Sequence, residues 1–174
     1  VLRVIATGAV MPAAQTAHAF AFTAIDGKPL PLANFKGKAV LVVNTASQCG
    51  FTPQYEGLEQ LWNTYRDRGL VVLGVPSNDF GAQEPGSAAE IQQFCTLKFK
   101  VDFPLSDKVA VIGGAAHPFY RWIVAELGED QAPRWNFHKY LIAPDGQVAG
   151  AFPSRVAPLS KELTQAIESV LPRK

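Results

Sequence analysis

A single α/β domain is what the sequence predicts, and three patterns predict it. Two fully apolar runs, Val40–Val43 and Leu70–Val75, have the length and β-branched content of buried strands. Between them lies a stretch with apolar residues at helical spacing, so strand, helix and strand read as a right-handed crossover with parallel strands. On either side of this unit, at Asp26-Gly27 and Asp145-Gly146, an Asp-Gly turn sits between two short strand-like runs and signals a hairpin.

In chain order, Phe20–Ile25 and Lys28–Leu32 flank Asp26-Gly27 as the first hairpin. Asn34–Lys38 connects it to the strand Val40–Val43, which ends in a small polar turn, Asn44–Gln48. Thr52 reads as a helix N-cap with Pro53 at the first helical position. Tyr55, Leu58, Leu61, Trp62 and Tyr65 then share one helix face, which should stop near Gly69 with Arg66 and Arg68 at its negative end. After Leu70–Val75 comes Pro76–Gly86, a loop rich in glycine, proline and amides. Ser87 and Glu90 have capping-box spacing, so a helix begins there and turns Ile91, Phe94 and Cys95 inward. Val101–Pro104 and Val109–Ile112 read as short extended pieces, and His117–Leu127 as a helix with a broad apolar face. Phe137–Ala143 and Gln147–Phe152 form the second hairpin, and a last helix runs from about Leu159 to Leu171.

Composition narrows the function classes. With 174 residues, 48% of them hydrophobic, the chain can fill the core of one domain. A net charge of +1, without a basic run or an aromatic-basic stripe, argues against nucleic acid and anionic membrane as partners. No apolar run reaches the roughly 18 residues that a membrane-spanning helix needs. Residues 1–19 read apart from the domain at 20–174. They carry Arg3, a mildly apolar stretch and Ala17-His18-Ala19, which fits a small-x-small cleavage site. An N-terminal extension and a signal-peptide remnant both stay open, and location follows: cytoplasmic in the first case, periplasmic or exported in the second.

Two cysteines are too few for a disulfide scaffold, and a chain of this size needs no staple, so the pair reads as chemical. Cys49 lies between a strand end and a helix start, where free N–H groups and the positive dipole end favour a thiolate. Reactive residues gather outside the carboxyl ends of parallel strands. The position three residues on is Thr52 rather than a second cysteine, which disfavours dithiol exchange. A lone activated thiolate suits attack on a peroxide oxygen, passing through sulfenic acid; the bland alternative is a buried cysteine acting as a small hydrophobe. Asn78 and Gln83 in the loop after the second strand, and Trp135 and Asn136 before the later hairpin, offer neutral donors. Such donors can stabilise a thiolate and a departing hydroxide without another charge to desolvate. On pattern alone Cys95 is a core cysteine. His18, His117 and His138 are scattered without companion ligands, so no metal and no cofactor is expected, and His117 and His138 read as structural.

Three blocks, V-V-N-T-A-S-Q-C-G-F-T-P-Q-Y, G-V-P-S-N-D-F-G-A-Q-E-P-G and R-W-N-F-H-K-Y-L-I, resemble in order the signature blocks of the glutathione peroxidase family. The resemblance runs from about Ala19 to the C-terminus. It implies a thioredoxin-like fold, a central mixed β-sheet flanked by helices with an N-terminal β-hairpin. It also implies a peroxidatic Cys49 supported by Gln83, Trp135 and Asn136. Thr45 stands where valine is usual, Gln48 where lysine or arginine is usual, and Ala82 where glycine is common. Losing the basic neighbour at 48 weakens the support for a thiolate, while the helix end remains.

The block F-C-T-L-K-F-K-V-D-F-P resembles the resolving-cysteine region of members reduced by thioredoxin, which gives Cys95 the resolving role. A disulfide needs Cα atoms within roughly 7 Å, so the helix carrying Cys95 would have to unwind locally. The short segment from His117 to Trp135 resembles the monomeric subtype with an open site, able to admit bulky lipid hydroperoxides as well as hydrogen peroxide and to dock thioredoxin. Two other readings stay open: direct reduction by glutathione with Cys95 a bystander, and a redox relay or sensor that passes its disulfide to a partner protein.

Overall fold

The computed structural model describes residues 15–173. The run Val40–Val43 forms the middle of β3 (Ala39–Thr45), all of whose residues are buried. It pairs in parallel with β4 (Leu70–Pro76), Ala39 opposite Leu70 and Thr45 opposite Pro76, so both strands end at one sheet edge. On its other side β3 runs antiparallel to β5 (Lys139–Ile142), which pairs with β6 (Val148–Phe152) as the second hairpin. The sheet order is β4-β3-β5-β6, a mixed sheet as expected. Strand alternation divides the core in two. Leu41, Val43, Val72 and Leu141 face α1 (Gln54–Tyr65), α2 (Ala88–Phe99) and α4 (Lys161–Val170). Val40, Val42, Leu73 and Tyr140 face α3 (Pro118–Leu127) and the N-terminal hairpin.

That hairpin is β1 (Ala21–Thr23) with β2 (Pro29–Pro31), shorter than the expected Phe20–Leu32. Prolines at both ends of β2 have no N–H to extend the ladder. Val101–Pro104 and Val109–Ile112 form no strand. Instead, residues 104–106 lie against β4: Gly74 N–H donates to the Pro104 carbonyl at 2.9 Å and Ser106 N–H to the Gly74 carbonyl at 2.8 Å. Glycine makes this approach possible, because a Cβ there would come within 2.6 Å of the Leu105 side chain. The alternatives for residues 1–19 fall largely outside the described residues. Ala17–Ala19 is a 3-10 turn whose Ala17 N–H donates to the Gly146 carbonyl at 3.0 Å.

The helices follow their caps. Ser87 and Glu90 form the full capping box that starts α2, and Ser160 accepts from Leu163 N–H at α4. His117 caps α3 by accepting from Phe119 N–H at 3.1 Å, while its other ring nitrogen meets the Ala21 carbonyl at 2.9 Å. Burial lowers its pKa, and the ring stacks on Phe22 at 4.0 Å, so it is structural. Arg66 and Arg68 lie in the 3-10 turn that continues α1 and ends at left-handed Gly69, as expected, and they also pair with Asp102 and Glu168.

Candidate active site

Cys49 sits four residues past the end of β3, in a turn that leads into α1. Its carbonyl accepts from Thr52 N–H at 3.0 Å, and the winding continues with Gln54 N–H on the Phe51 carbonyl. Thr52 does not cap α1, contrary to the sequence reading. Its hydroxyl accepts from Cys49 N–H at 2.9 Å and donates to the Ala46 carbonyl at 2.9 Å, closing the turn on itself. The helix starts at Gln54, one residue past the expected Pro53, because this tighter turn has already used Thr52. The sulfur of Cys49 accepts from Phe51 N–H at 3.3 Å. Only 8% of Cys49 is exposed, between the exposed residues Gln48 and Gly50.

The loop after β4 ends at the same sheet edge. Asn78 accepts from Glu84 N–H at 2.9 Å, so its role is to fold this loop. Two successive left-handed residues, Gly81 at φ +67° and Ala82 at φ +51°, turn the chain and deliver Gln83. A Cβ on Gly81 would stand 3.1 Å from the Trp135 ring and 3.4 Å from Gln83, so glycine lets both side chains close in. The Gln83 carbonyl accepts from Gln48 N–H at 3.1 Å, which sets this loop against the turn of Cys49.

Residues 135–138 approach from the β5 side, held by the end of β3. Asn44 donates through Nδ2 to the Trp135 carbonyl at 3.0 Å, and its own carbonyl accepts from Phe137 N–H at 2.6 Å. Asn136, fully buried, donates to Gln83 Oε1 at 2.9 Å and more weakly to the Phe80 carbonyl at 3.4 Å. With its oxygen taken, Gln83 keeps its Nε2 hydrogens for donation. The Trp135 ring packs against Phe80 and stays 37% exposed, so it forms an open rim.

Cys95 is wholly buried on α2, in the same core as Cys49, and both thiols are free. Burial pushes its pKa up to about 11, although the neighbouring Tyr55 hydroxyl pulls the other way. At rest it is a protonated, unreactive thiol. Near it lies Glu84, 1% exposed, whose pKa is raised by burial and partly restored by Ser47 and Lys108. A cavity of about 350 Å³ opens beside Glu84, between Ser47-Gln48 and the Ile91 and Phe94 side of α2. Among the described residues no three His, Cys, Asp or Glu side chains gather as metal ligands. No described helix is long and apolar enough to cross a membrane.

The structure thus brings Gln83, Trp135 and Asn136 together and sets the Cys49 turn beside them, while Cys95 stays in the helix wall. Sequence reasoning passed over Asn44, Gln54, Glu84 and Lys139. Asn44 and Lys139 are polar residues on otherwise apolar strands, Glu84 lies in a loop and Gln54 opens α1; the lone lysine in the strand Lys139–Ile142 was the plainest signal.

Comparison with known proteins shows the family. The family described as Glutathione peroxidase matches residues 17–124. Hydroperoxy fatty acid reductase gpx1 of Synechocystis is 44% identical over 165 residues, covering 90% of this chain and 96% of its own. Glutathione peroxidase-like peroxiredoxin gpx1 of Schizosaccharomyces pombe is 49% identical over 149 residues, covering 84% and 92%. The solved structure of T. cruzi GPX1 superposes with TM-score 0.70 at 32% identity, over 91% of this chain and 95% of that one. A thioredoxin family protein of Chlorobium tepidum, a thiol:disulfide interchange protein, shares the fold with TM-score 0.63 at 22% identity, over 90% and 97%. With its thioredoxin-like sheet and two free thiols, the chain belongs to the glutathione peroxidase family and is a thiol peroxidase.

Proposed function

We propose that Cys49 is the peroxidatic residue, that Cys95 resolves it, and that thioredoxin returns the pair to dithiol. The observation that carries this reading is the placement of the Cys49 sulfur under Phe51 N–H, in a turn bonded to the Gln83 loop. The thiolate attacks the terminal peroxide oxygen, the O–O bond breaks, and the leaving oxygen takes a proton to become water or an alcohol. Gln83 Nε2, oriented by Asn136, and the Trp135 indole donate where negative charge gathers. Cys95 thiol then displaces hydroxide from the sulfenic sulfur, and its proton completes a water molecule as the disulfide forms.

Resolution requires α2 to open, since Cys95 is buried at rest. The C-terminal end of α2 favours opening. Lys100 closes it at φ +54°, a left-handed conformation that strains a residue with a Cβ. The open rim at Trp135 suits bulky substrates, and the Synechocystis relative named for hydroperoxy fatty acids supports lipid hydroperoxides beside hydrogen peroxide. The reading includes a monomer, working in the cytoplasm or, if residues 1–19 derive from a signal peptide, in an exported location.

Steady-state peroxide consumption tests it. Turnover with a thioredoxin system should fall to background in Cys95→Ser, and one equivalent of peroxide should give a Cys49–Cys95 bond by mass spectrometry. Undiminished turnover of Cys95→Ser with glutathione would make Cys95 a bystander. A trapped mixed disulfide with slow thioredoxin turnover would indicate a relay.

A further inference from the structure

Lys139 is a wholly buried lysine on β5. Its Nζ donates to the Phe137 carbonyl at 2.7 Å and to the Ser154 carbonyl at 3.4 Å. None of the ion pairs among the described residues includes it. Removing an ammonium from water is costly, and burial brings its pKa down to about 7. A methionine would fill the same space without that cost, so volume alone does not call for an amine.

Both acceptors matter to the site. Phe137 holds φ +65° directly after Asn136, and this left-handed kink sets how Trp135 and Asn136 leave the strand. Its N–H is taken by the Asn44 carbonyl on β3, its carbonyl by Lys139, and its ring stands edge-on to Tyr55 at 5.3 Å. The Ser154 carbonyl also receives Gln54 Nε2 at 2.7 Å, from the first turn of α1 behind Cys49. One carbonyl oxygen therefore takes donors from the helix that follows the thiol and from the strand that follows Trp135 and Asn136.

We propose that Lys139 is a positioning residue of the peroxidase site: it pins the Phe137 kink so that Asn136 reaches Gln83, and through the Ser154 carbonyl it ties that segment to α1. The inference rests on Asn136 being a site residue, so its test has one arm that needs no activity. Lys139→Met, Asn136→Ala and the double variant are compared for the rate of Cys49 oxidation by hydrogen peroxide. The side-chain amide resonances of Asn136 are followed by NMR in the parent and in Lys139→Met. Folded Lys139→Met should move those resonances and oxidise about tenfold more slowly or worse. The double variant should be no slower than Asn136→Ala alone, and Lys139→Arg should recover part of the rate.

A parent-like Asn136 amide in Lys139→Met, or rate losses that multiply in the double variant, would overturn the proposal, because a merely structural lysine does not act through Asn136. Should Lys139→Met fail to fold, Lys139→Gln, uncharged and too short to hold both carbonyls, takes its place, and unmoved Asn136 resonances there overturn the proposal equally. A parental rate in Asn136→Ala would instead sink the site reading, leaving the resonances to decide the role of Lys139.

Discussion

Asn136 Nδ2 donates to Gln83 Oε1 at 2.9 Å, joining two loops that are 53 residues apart in the chain. This bond decides which end of the Gln83 amide is left to donate. Asn136→Ala removes it and frees the amide to rotate, so the rate of Cys49 oxidation should fall by about a hundredfold, the loss typical of one preorganised donor. Stopped-flow oxidation with hydrogen peroxide checks it, and a rate within twofold of the parent would remove Asn136 from the site.

Thr52 closes the Cys49 turn with two buried hydrogen bonds. Thr52→Val keeps the shape and leaves Cys49 N–H and the Ala46 carbonyl unpaired, which should cost about 2–4 kcal/mol. Thr52→Ser, retaining the hydroxyl, should lose less than half of that. Urea unfolding of the two variants measures the difference; equal losses would mean that the methyl rather than the hydroxyl matters.

Ala82 is a residue with a Cβ in a left-handed conformation, at φ +51°. Ala82→Gly relieves steric strain of about 1 kcal/mol and gives back part of it as unfolded-chain entropy. Melting should rise by a degree or two (about 0.5 kcal/mol net) with the oxidation rate unchanged. A fall in stability would show that the alanine methyl is packed usefully.

The buried thiol of Cys95 imposes a pH dependence. Its pKa rises from about 9 to about 11 on folding. Between those values the native state keeps a proton that the unfolded state has lost, so stability declines as pH rises through this window. The slope from this one group is at most about 1.4 kcal/mol per pH unit, and below the window its contribution is constant. Urea unfolding from pH 8 to 11 should fall less steeply in Cys95→Ala than in the parent. Parallel curves would mean that the thiol titrates normally in the fold.

Much of this architecture is legible in the residues. The apolar runs at β3 and β4, the Asp-Gly turns and the Ser87–Glu90 box each carry a local rule, and the structure obeys them. The bridge from residues 104–106 to β4 is not visible locally, because short apolar pieces with proline look extended whether or not a ladder accepts them. Thr52 was misread for a related reason: a hydroxyl before a helix can close a preceding turn as readily as it can cap. The grip of Asn44 on Trp135, across 91 residues, has no local signature. Lys139 could be noticed as a charge in a strand, but its partners depend on how β5 meets the 153–156 loop.

Folding Cys95 into the middle of α2 gives one helix control over time. In the proposed cycle the sulfenic acid on Cys49 lasts only until α2 opens, so the stability of α2 sets its lifetime. A firmer helix, such as one relieved of strain at Lys100, would prolong that interval. A second peroxide could then carry the sulfur on to sulfinic acid, or a thiol from another protein could intercept it. A looser helix would close the disulfide sooner and shield the enzyme from its own substrate. The difference between a scavenger and a signal carrier would then lie in the opening rate of twelve residues rather than in the chemistry of the site.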